Sequence, residues 1–277
     1  ANYNSSASTN YTHTVNKATA TIALGDLNQT YDGAPKAASA ATTPAGLTVI
    51  ITYTGSGGTV YGPATTAPTN AGTYEVDAAV DDANYQGTAS DTLVINQVST
   101  TTALNSSVNP AALNQTVTFT ATVTPANAGG TVTFNDDGTA ITGCAAQPIS
   151  DGQATCTVTM VTLGEHPMTA VYSGDANHAG NASAPLSQMV QRIATTTTVV
   201  SSLNPAGFGE MVLFTATVSP AAAGGTVDFQ VNGASIPDCW AQPLSDGQAT
   251  CATDLLPVGV HVVTAVYSGD AVYNISI

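Results

Sequence analysis

Positively charged residues are almost missing from this sequence: Lys17, Lys36 and Arg192 are the only strong cations among 277 residues, against 18 Asp and Glu. The formal net charge is therefore −15. Nucleic acid is a poor partner for such a chain, because phosphate binding relies on clustered Lys and Arg. Anionic membrane surfaces attract basic segments, so binding to them is disfavoured for the same reason.

Long apolar runs are missing as well. No stretch approaches the roughly 18 consecutive apolar residues of a membrane-spanning helix, so we expect no membrane insertion. Residues 1–8 are polar and uncharged, whereas a signal peptide needs a basic start and an apolar run. We expect either that a signal peptide has been removed or that the sequence is an internal piece.

Catalytic motifs are a third absence. The four histidines are scattered, and there is no Gly-x-Ser-x-Gly elbow, His-Glu-x-x-His helix or phosphate loop. Glu75, Glu165 and Glu210 have no evident paired carboxylate for glycosidic acid/base chemistry. We predict that the chain is not an enzyme and has no catalytic residues.

Strand-forming and turn-forming residues dominate what is present. Thr, Val, Gly, Asn and Pro are frequent, while Glu is rare and Ala shows no helical spacing. Residues 116–123 alternate inward Val, Phe and Ala with outward Thr, which is the pattern of a half-buried strand. With further strands predicted at residues 131–134, 155–160, 166–172 and 184–190, the pattern indicates an all-β chain of antiparallel β-sandwiches.

A repeat at an offset of 95 residues organises the rest of the chain. The segment from Cys144 to Cys156 returns from Cys239 to Cys251, and Thr-Ala-Val-Tyr-Ser-Gly-Asp begins at both Thr169 and Thr264. A period this long is close to the size of one β-sandwich of roughly 100 residues and too long for a solenoid unit. We therefore predict a string of domains whose function lies in the array.

The four cysteines form two identically spaced pairs. This spacing indicates one local disulfide per repeat, Cys144 with Cys156 and Cys239 with Cys251, and hence an oxidising, extracellular setting. The alternative is a metal site. Zinc ligands usually come in closer pairs, however, and each repeat offers two Cys and one distant His, so we favour disulfides.

Both repeats share a set of motifs: Asn-Pro near the start, Phe-Thr-Ala-Thr-Val-x-Pro, Gly-Gly-Thr-Val-x-Phe, the Cys-bounded hairpin and Thr-Ala-Val-Tyr-Ser-Gly-Asp. On these motifs, residues 98–192 and 193–277 resemble the bacterial Ig-like repeat domains of large secreted and cell-surface proteins. The resemblance implies tandem Ig-like sandwiches, arranged as beads on a string at the cell surface.

Residues 18–97 carry different motifs: Gln-Thr-Tyr-Asp-Gly-Ala-Pro-Lys at 29–36, Thr-Asn-Ala-Gly-Thr-Tyr at 69–74 and Asp-Ala-Asn-Tyr at 82–85. This set is similar to the MBG modules of bacterial surface proteins, which implies a compact β-rich domain. Its strands are predicted at residues 48–53, 72–80 and 91–95.

The two ends of the sequence are predicted to be complementary. Residues 1–17 line up with the end of an Ig-like domain, because residues 1–8 match 176–183 and Val15-Asn-Lys matches Val190-Gln-Arg. We therefore predict that residues 1–17 are the closing strand of a preceding domain, with Tyr11, His13 and Val15 as its assembly residues. Residues 193–277 lack a segment that matches 183–192, so we expect an acceptor end at four apolar residues, Val272, Tyr273, Ile275 and Ile277.

Two hypotheses follow from these ends. In the first, residues 1–17 of one molecule complete the third domain of the next, and donor-strand exchange builds a filament. In the second, the 277 residues are one period of a longer polypeptide and the strand arrives covalently. Both predict a non-catalytic extracellular fibre or stalk whose partners are its own copies or further repeats.

Two ligand classes stay as alternatives. Calcium suits the predicted oxygen-rich turns at Asp136, Asp137, Asp175 and Asp270, although solvated turn carboxylates have the same pattern. A glycan or host-surface ligand would make the chain an adhesin or a glycan-binding accessory module. The only Trp, Trp240, lies beside Cys239, and we expect it to cover the disulfide instead. We predict no cofactor, with calcium as the alternative.

Overall fold

The computed structural model describes residues 9–277, whose regular secondary structure is all β. Within that range, no helix has the length and apolar character that a membrane crossing requires. The chain forms three successive domains, each with its own cluster of buried apolar residues.

The first domain is built around a four-stranded sheet in the order β3-β8-β6-β5. Its strands are β1 (Ala18–Thr19), β2 (Thr21–Gly25), β3 (Asn28–Thr30), β4 (Ser39–Thr43), β5 (Val49–Ser56), β6 (Gly72–Val80), β7 (Tyr85–Gln86) and β8 (Thr88–Asn96). Tyr53, Tyr74 and Leu93 are buried in its core. The Tyr53 hydroxyl accepts a hydrogen bond from the backbone N–H of Ala38 at 2.9 Å, which satisfies this polar group inside the core.

The second domain is an Ig-like sandwich of two sheets. Its strands are β9 (Thr101–Ser106), β10 (Ala111–Ala112), β11 (Thr116–Thr124), β12 (Thr131–Asp136), β13 (Thr139–Ala140), β14 (Gln147–Pro148), β15 (Gln153–Thr159), β16 (Gly164–Tyr172), β17 (Asn181–Ala182) and β18 (Leu186–Gln191). One sheet has the order β15-β11-β9, and the other has the order β10-β18-β16-β12-β13. Phe119 of β11 and Phe134 of β12 are fully buried in the shared core, so the predicted alternation is confirmed.

The third domain repeats this plan with fewer strands. They are β19 (Thr196–Ser201), β20 (Val212–Ser219), β21 (Thr226–Val231), β22 (Ala234–Ser235), β23 (Gln242–Pro243), β24 (Gln248–Thr253) and β25 (Val263–Tyr267). The sheet β19-β20-β24 matches β9-β11-β15 of the second domain, and β25 pairs with β21 as β16 pairs with β12.

The shared motifs have a geometric cause. The second glycine of Gly-Gly-Thr-Val, Gly130 or Gly225, has a φ of 85° or 82°, in the left-handed region that glycine tolerates best. A Cβ at Gly130 would lie 2.6 Å from the carbonyl oxygen of Gly174. The motif therefore persists because the loop before β12 passes close to the backbone of the Tyr-Ser-Gly-Asp turn.

Both Ig-like domains contain a disulfide, Cys144 with Cys156 and Cys239 with Cys251, at a sequence separation of 12. All four cysteines are buried in the domain cores. Each disulfide joins the loop between β13 and β14, or between β22 and β23, to the strand β15 or β24, and so links the two sheets.

Each linker pairs with the domain that follows it. Val98 exchanges backbone hydrogen bonds with Asn177 and Ala179, and Ile193 does so with Val272 and Asn274. Each linker is therefore held against the domain that follows it.

Candidate strand-acceptor groove

One sheet edge differs between the two Ig-like domains. In the second domain, β16 pairs with β12 on one side and with β18 on the other, where Gly164 to Met168 face Val190 to Leu186. In the third domain β25 pairs with β21, and among residues 9–277 its other edge is met only at Tyr267, by Ser276. The third domain thus presents unpaired backbone where β18 lies in the second.

The unpaired edge also changes the strand itself. β16 begins at Gly164, but β25 begins at Val263, the counterpart of Met168 at the offset of 95. The segment 259–262 is consequently not a strand, and the side chains of Val260 and Val262 are 98% and 65% exposed. Their counterparts in the second domain are Glu165, which is exposed, and Pro167, which is partly buried.

A groove of about 670 Å³ lies along this edge. Its walls come from residues around 199–214 on one side and 254–263 on the other, and include Phe208 and Val258, both at least 80% exposed. The counterpart of Phe208 in the second domain, Leu113, packs against the core of that domain. The groove therefore exposes apolar surface that its sister domain buries.

The second domain shows what fills this position. Leu186, Gln188 and Val190 of β18 point inward, and the last two are 0% and 2% exposed. The backbone of β18 also pairs in parallel with β10, with Val190 opposite Ala111. In the third domain the counterpart of Ala111, Ala206, is exposed and lies in the groove wall.

The histidine at this edge has different neighbours in the two domains. His166 Nδ1 lies 2.7 Å from Asp136 Oδ2, and its Nε2 lies 3.1 Å from the carbonyl oxygen of Thr162. Burial lowers the pKa of His166, but the hydrogen bonds to Asp136 and Thr162 and the charge of Asp136 more than offset burial and raise it. The second domain therefore favours a protonated imidazole.

His261, the counterpart in the third domain, has an amide nitrogen and a carbonyl oxygen as neighbours, and no carboxylate. Its Nε2 lies 2.8 Å from the carbonyl oxygen of Pro257, so Nε2 carries a hydrogen and donates it. Asn232 Oδ1 accepts a hydrogen bond from the backbone N–H of Val262 at 3.0 Å, so the Asn232 amide nitrogen faces His261 Nδ1 at 3.2 Å and donates to it.

The leading segment of the chain is extended and exposed. Residues 9–17 form no strand, and Tyr11 and Val15 are 87% and 82% exposed. The Lys17 ammonium donates to the carbonyl oxygen of Asp82, after which β1 pairs with β7 of the first domain. The alignment of Val15 with Val190 places Tyr11 and His13 on Leu186 and Gln188, the inward positions of β18. The matching segment 1–8 lies outside the described residues.

The acceptor residues predicted from sequence lie elsewhere. Val272 and Tyr273 contact the linker at Ile193, beyond the other end of β25, and Ile275 and Ile277 are largely exposed there. The groove is instead lined by residues that sequence reasoning missed, Phe208, Val258, Val260 and His261. They can be located by adding the repeat offset of 95 to the residues of β16 that pair with β18 and to their neighbours.

The predicted calcium ligands are dispersed. Asp175 accepts backbone hydrogen bonds from Gly129 and Asn177 and contacts His178. Burial raises the pKa of Asp175, but these hydrogen bonds outweigh burial and keep its pKa below the usual range. Asp270 is bound in the same way in the third domain, Asp136 contacts His166, and Asp137 lies in the turn after β12. Nowhere in residues 9–277 do three acidic, His or Cys side chains group as a metal site, and calcium stays an untested alternative.

Trp240 does not cover the disulfide as expected, since its side chain is 69% exposed. Cys144, whose neighbour is Ala145, is as deeply buried as Cys239. The ring is therefore not needed to bury the disulfide.

Comparison with known families gives two matches. Residues 20–99 match the family described as MBG domain, and residues 104–191 and 197–277 match the family described as bacterial Ig-like domain (group 3). A comparison with curated proteins finds no match.

Several solved structures are similar. The fibronectin(III)-like modules of Clostridium thermocellum CbhA share 19% identity over 63% of this chain and 91% of that one, with a TM-score of 0.28. FdeC, an Escherichia coli adhesin, shares 15% identity over 93% and 95%, with a TM-score of 0.29. Bacteroides ovatus SGBP-B, solved with a mixed-linkage heptasaccharide, shares 14% identity over 90% and 62%, with a TM-score of 0.23. Likeness at this level carries no argument about function.

The two Ig-like matches together span more than half of the 277 residues and coincide with the two sandwiches described above. The chain therefore belongs to the bacterial Ig-like (group 3) family, with an MBG domain preceding its two Ig-like domains.

Proposed function

We propose that this chain is a non-catalytic structural module of an extracellular bacterial surface fibre, joined head to tail by strand addition. In this proposal, residues 11–17 of one copy occupy the groove of the third domain of the next copy. The proposal is carried by the presence of two complementary features in the same chain. The third domain has an open sheet edge, and residues 11–17 are an exposed segment with the inward pattern of β18.

The register of β18 defines the docked arrangement. Tyr11 would lie opposite Val263, His13 opposite His261 and Val15 opposite Gly259, because the corresponding pairs in the second domain are 186–168, 188–166 and 190–164. Burying the Tyr11 and Val15 side chains would contribute about 1.5 to 3 kcal/mol each by transfer from water. The backbone of the docked segment would satisfy the unpaired groups of the edge.

This contact joins different surfaces of the two copies. A heterologous contact that does not close into a ring produces a filament. The two disulfides support an extracellular location, since disulfides persist in oxidising compartments.

Cysteine cross-linking tests the docked register. Thr12 and Val262 correspond to the directly opposed pair 187–167, so the double variant T12C/V262C should form a ladder of oligomers on non-reducing gels. The control T12C/V260C moves one thiol by two residues, about 7 Å along the strand, and should not cross-link. The four native cysteines are closed in disulfides and do not interfere. An equal ladder from both variants, or none from either, would contradict the proposal.

A substitution pair tests assembly itself. V15D places a charge in the docked core and should abolish filaments in electron micrographs, because a buried unpaired charge is expensive. V60D, at a valine that is 99% exposed in the first domain, is the matched control and should leave them intact. If denaturing gels of native material show a chain far larger than 27.6 kDa, the closing strand is covalent rather than donated by a second copy.

An adhesin or glycan-binding accessory module is the second candidate. The observation that favours it is the exposed Trp240, since aromatic platforms on a surface suit carbohydrate faces. Binding on a glycan array that W240A removes would support this function, and an array without signal would set it aside.

A further inference from the structure

We infer that His13 fixes the register of the docked segment and makes docking depend on pH, with assembly at neutral pH and release in acid. This inference rests on the proposed strand addition and assigns a control mechanism to the same groove.

The position of His13 is the polar one in an otherwise apolar strand. Its counterpart, Gln188, is fully buried, with Oε1 accepting from Ser106 Oγ at 2.6 Å. Gln188 Nε2 donates to the carbonyl oxygen of Met189 at 3.1 Å and lies 3.4 Å from Asn109 Oδ1. The strand therefore carries one buried side chain that both accepts and donates.

The third domain keeps this polar pair. Ser201 and Asn204 are the counterparts of Ser106 and Asn109, and both are exposed beside the groove. A neutral imidazole has one acceptor nitrogen and one N–H donor, so it can replace the amide of Gln188 between a hydroxyl and an amide oxygen.

This polar contact determines the register. A slip of one residue would turn Tyr11 and Val15 outward, which the apolar groove disfavours. A slip of two residues would keep the inward face but replace His13 between Ser201 and Asn204 by Val15, which has no polar group, or by Tyr11, whose single polar group is at the tip of its ring. The ring-edge donor and acceptor that His13 offers to Ser201 and Asn204 would then be lost. His13 thus excludes the slip that apolar packing alone would allow.

The same contact makes docking sensitive to protons. His13 lies opposite His261 in the docked register, and directly opposed side chains on one face of a sheet have Cβ atoms about 5 Å apart. The ring nitrogens of His261 contact the Asn232 side-chain amide and the carbonyl oxygen of Pro257, and neither is a carboxylate that would compensate a positive charge. Protonating either ring would bury a charge, and protonating both would place like charges side by side.

Other charged groups face the groove from its rims. Glu210 accepts from the backbone N–H of Gly207 at 2.7 Å, Asp254 is exposed at the end of β24, and Lys17 follows the docked strand. Glu210 corresponds to Gln115, whose amide oxygen contacts the backbone of β10 near Val190, so Glu210 would lie beside Val15 rather than His13. These exposed carboxylates are screened by water and compensate a buried imidazolium only weakly.

Acid should therefore weaken docking. Below the usual histidine pKa of about 6.5, each histidine that must lose its proton to dock lowers the affinity about tenfold for every further pH unit. The measurement is fluorescence anisotropy of a labelled peptide of residues 9–17, titrated with the full-length V15D chain, which keeps its groove but cannot donate its own strand. Binding should be tight at pH 7.5 and fall by at least tenfold at pH 5.5.

The H13Q peptide is the matched control, because Gln is the residue that β18 carries at this position. The H13Q peptide should bind at pH 7.5 and should lose less affinity at pH 5.5 than the wild-type peptide. The loss that remains should disappear when the acceptor chain carries H261Q. Equal pH profiles for the wild-type and H13Q peptides would overturn the inference while leaving strand addition intact. Absence of binding by both peptides at pH 7.5 would instead contradict strand addition itself.

A second measurement tests the register. H13A in the T12C/V260C chain should create the oligomer ladder that this chain otherwise lacks, because a slip of two residues is no longer excluded. H13Q in the same chain should not. A ladder that is absent with both, or present with both, would contradict the role of His13 in register.

Discussion

At the scale of single residues, the edge histidines of the two Ig-like domains differ in one neighbour. Asp136 faces His166 in the second domain, whereas the third domain has Val231 at that position and uses the next residue, Asn232, to contact His261. A carboxylate favours the imidazolium, and an amide that donates to Nδ1 requires the neutral ring. One repeat thus has a carboxylate that raises the pKa of its edge histidine, and the other has an amide at that place beside an open edge.

The raised pKa of His166 predicts a pH-dependent contribution to stability. The ion pair with Asp136 contributes fully below the unfolded-state pKa of about 6.5, and this contribution is lost as the pH rises through the higher folded-state value. H166Q should therefore destabilise the second domain more at pH 5.5 than at pH 8.5, as measured by urea unfolding in the V15D background. D136N should produce the same pH dependence, and equal destabilisation at both pH values would contradict the ion pair.

At the scale of strands, the sequence predicts those strands whose own residues alternate between apolar and polar side chains. Residues 72–80 were predicted as a strand and form β6, and residues 116–123 lie within β11. The predicted strand at 184–190 begins instead at Leu186, because Pro185 has no backbone N–H to pair. The predicted strand at 91–95 extends over all of β8, since β6 pairs with it along its full length.

Elements that depend on a distant partner could not be predicted. β10 has two residues and pairs in parallel with β18, almost 80 residues later, so no local pattern marks it. The acceptor end predicted at Val272, Tyr273, Ile275 and Ile277 stays a prediction, and the groove lies at a different part of the third domain. Val272 and Tyr273 are near the last residues in sequence, but the register of β16 with β18 puts the open edge at 259–263.

Each disulfide is expected to stabilise its own domain. Replacing both Cys144 and Cys156 by Ala should lower the free energy of unfolding of the second domain by about 3 kcal/mol, because a loop of about a dozen residues is no longer closed in the unfolded chain. Urea unfolding followed by domain-specific proteolysis would measure this loss. The pair C239A/C251A is the control and should affect the third domain instead, and an unchanged second domain would contradict the expectation.

At the scale of the whole molecule, net charge would oppose the proposed assembly. Each copy carries a formal charge of −15, so neighbouring copies repel one another over about 30 Å at 10 mM salt but over only about 8 Å at 150 mM. The T12C/V262C ladder should therefore lengthen as NaCl rises from 10 to 150 mM at pH 7.5. A ladder that shortens over this range would indicate attraction between opposite charges as the main force of docking.

The near absence of basic side chains also determines where such a fibre could be cut. Endoproteases that cleave after Lys or Arg find only three peptide bonds in the chain, and the Lys36 side chain is mostly buried in an ion pair with Asp32. Hydrolysis after Lys17 would detach residues 1–17 and leave all three folded domains untouched. In the proposed fibre, cleavage after Lys17 alone would release three-domain pieces, each with its neighbour's severed peptide still bound in the groove, whereas cleavage after the exposed Arg192 would separate the second domain from the third.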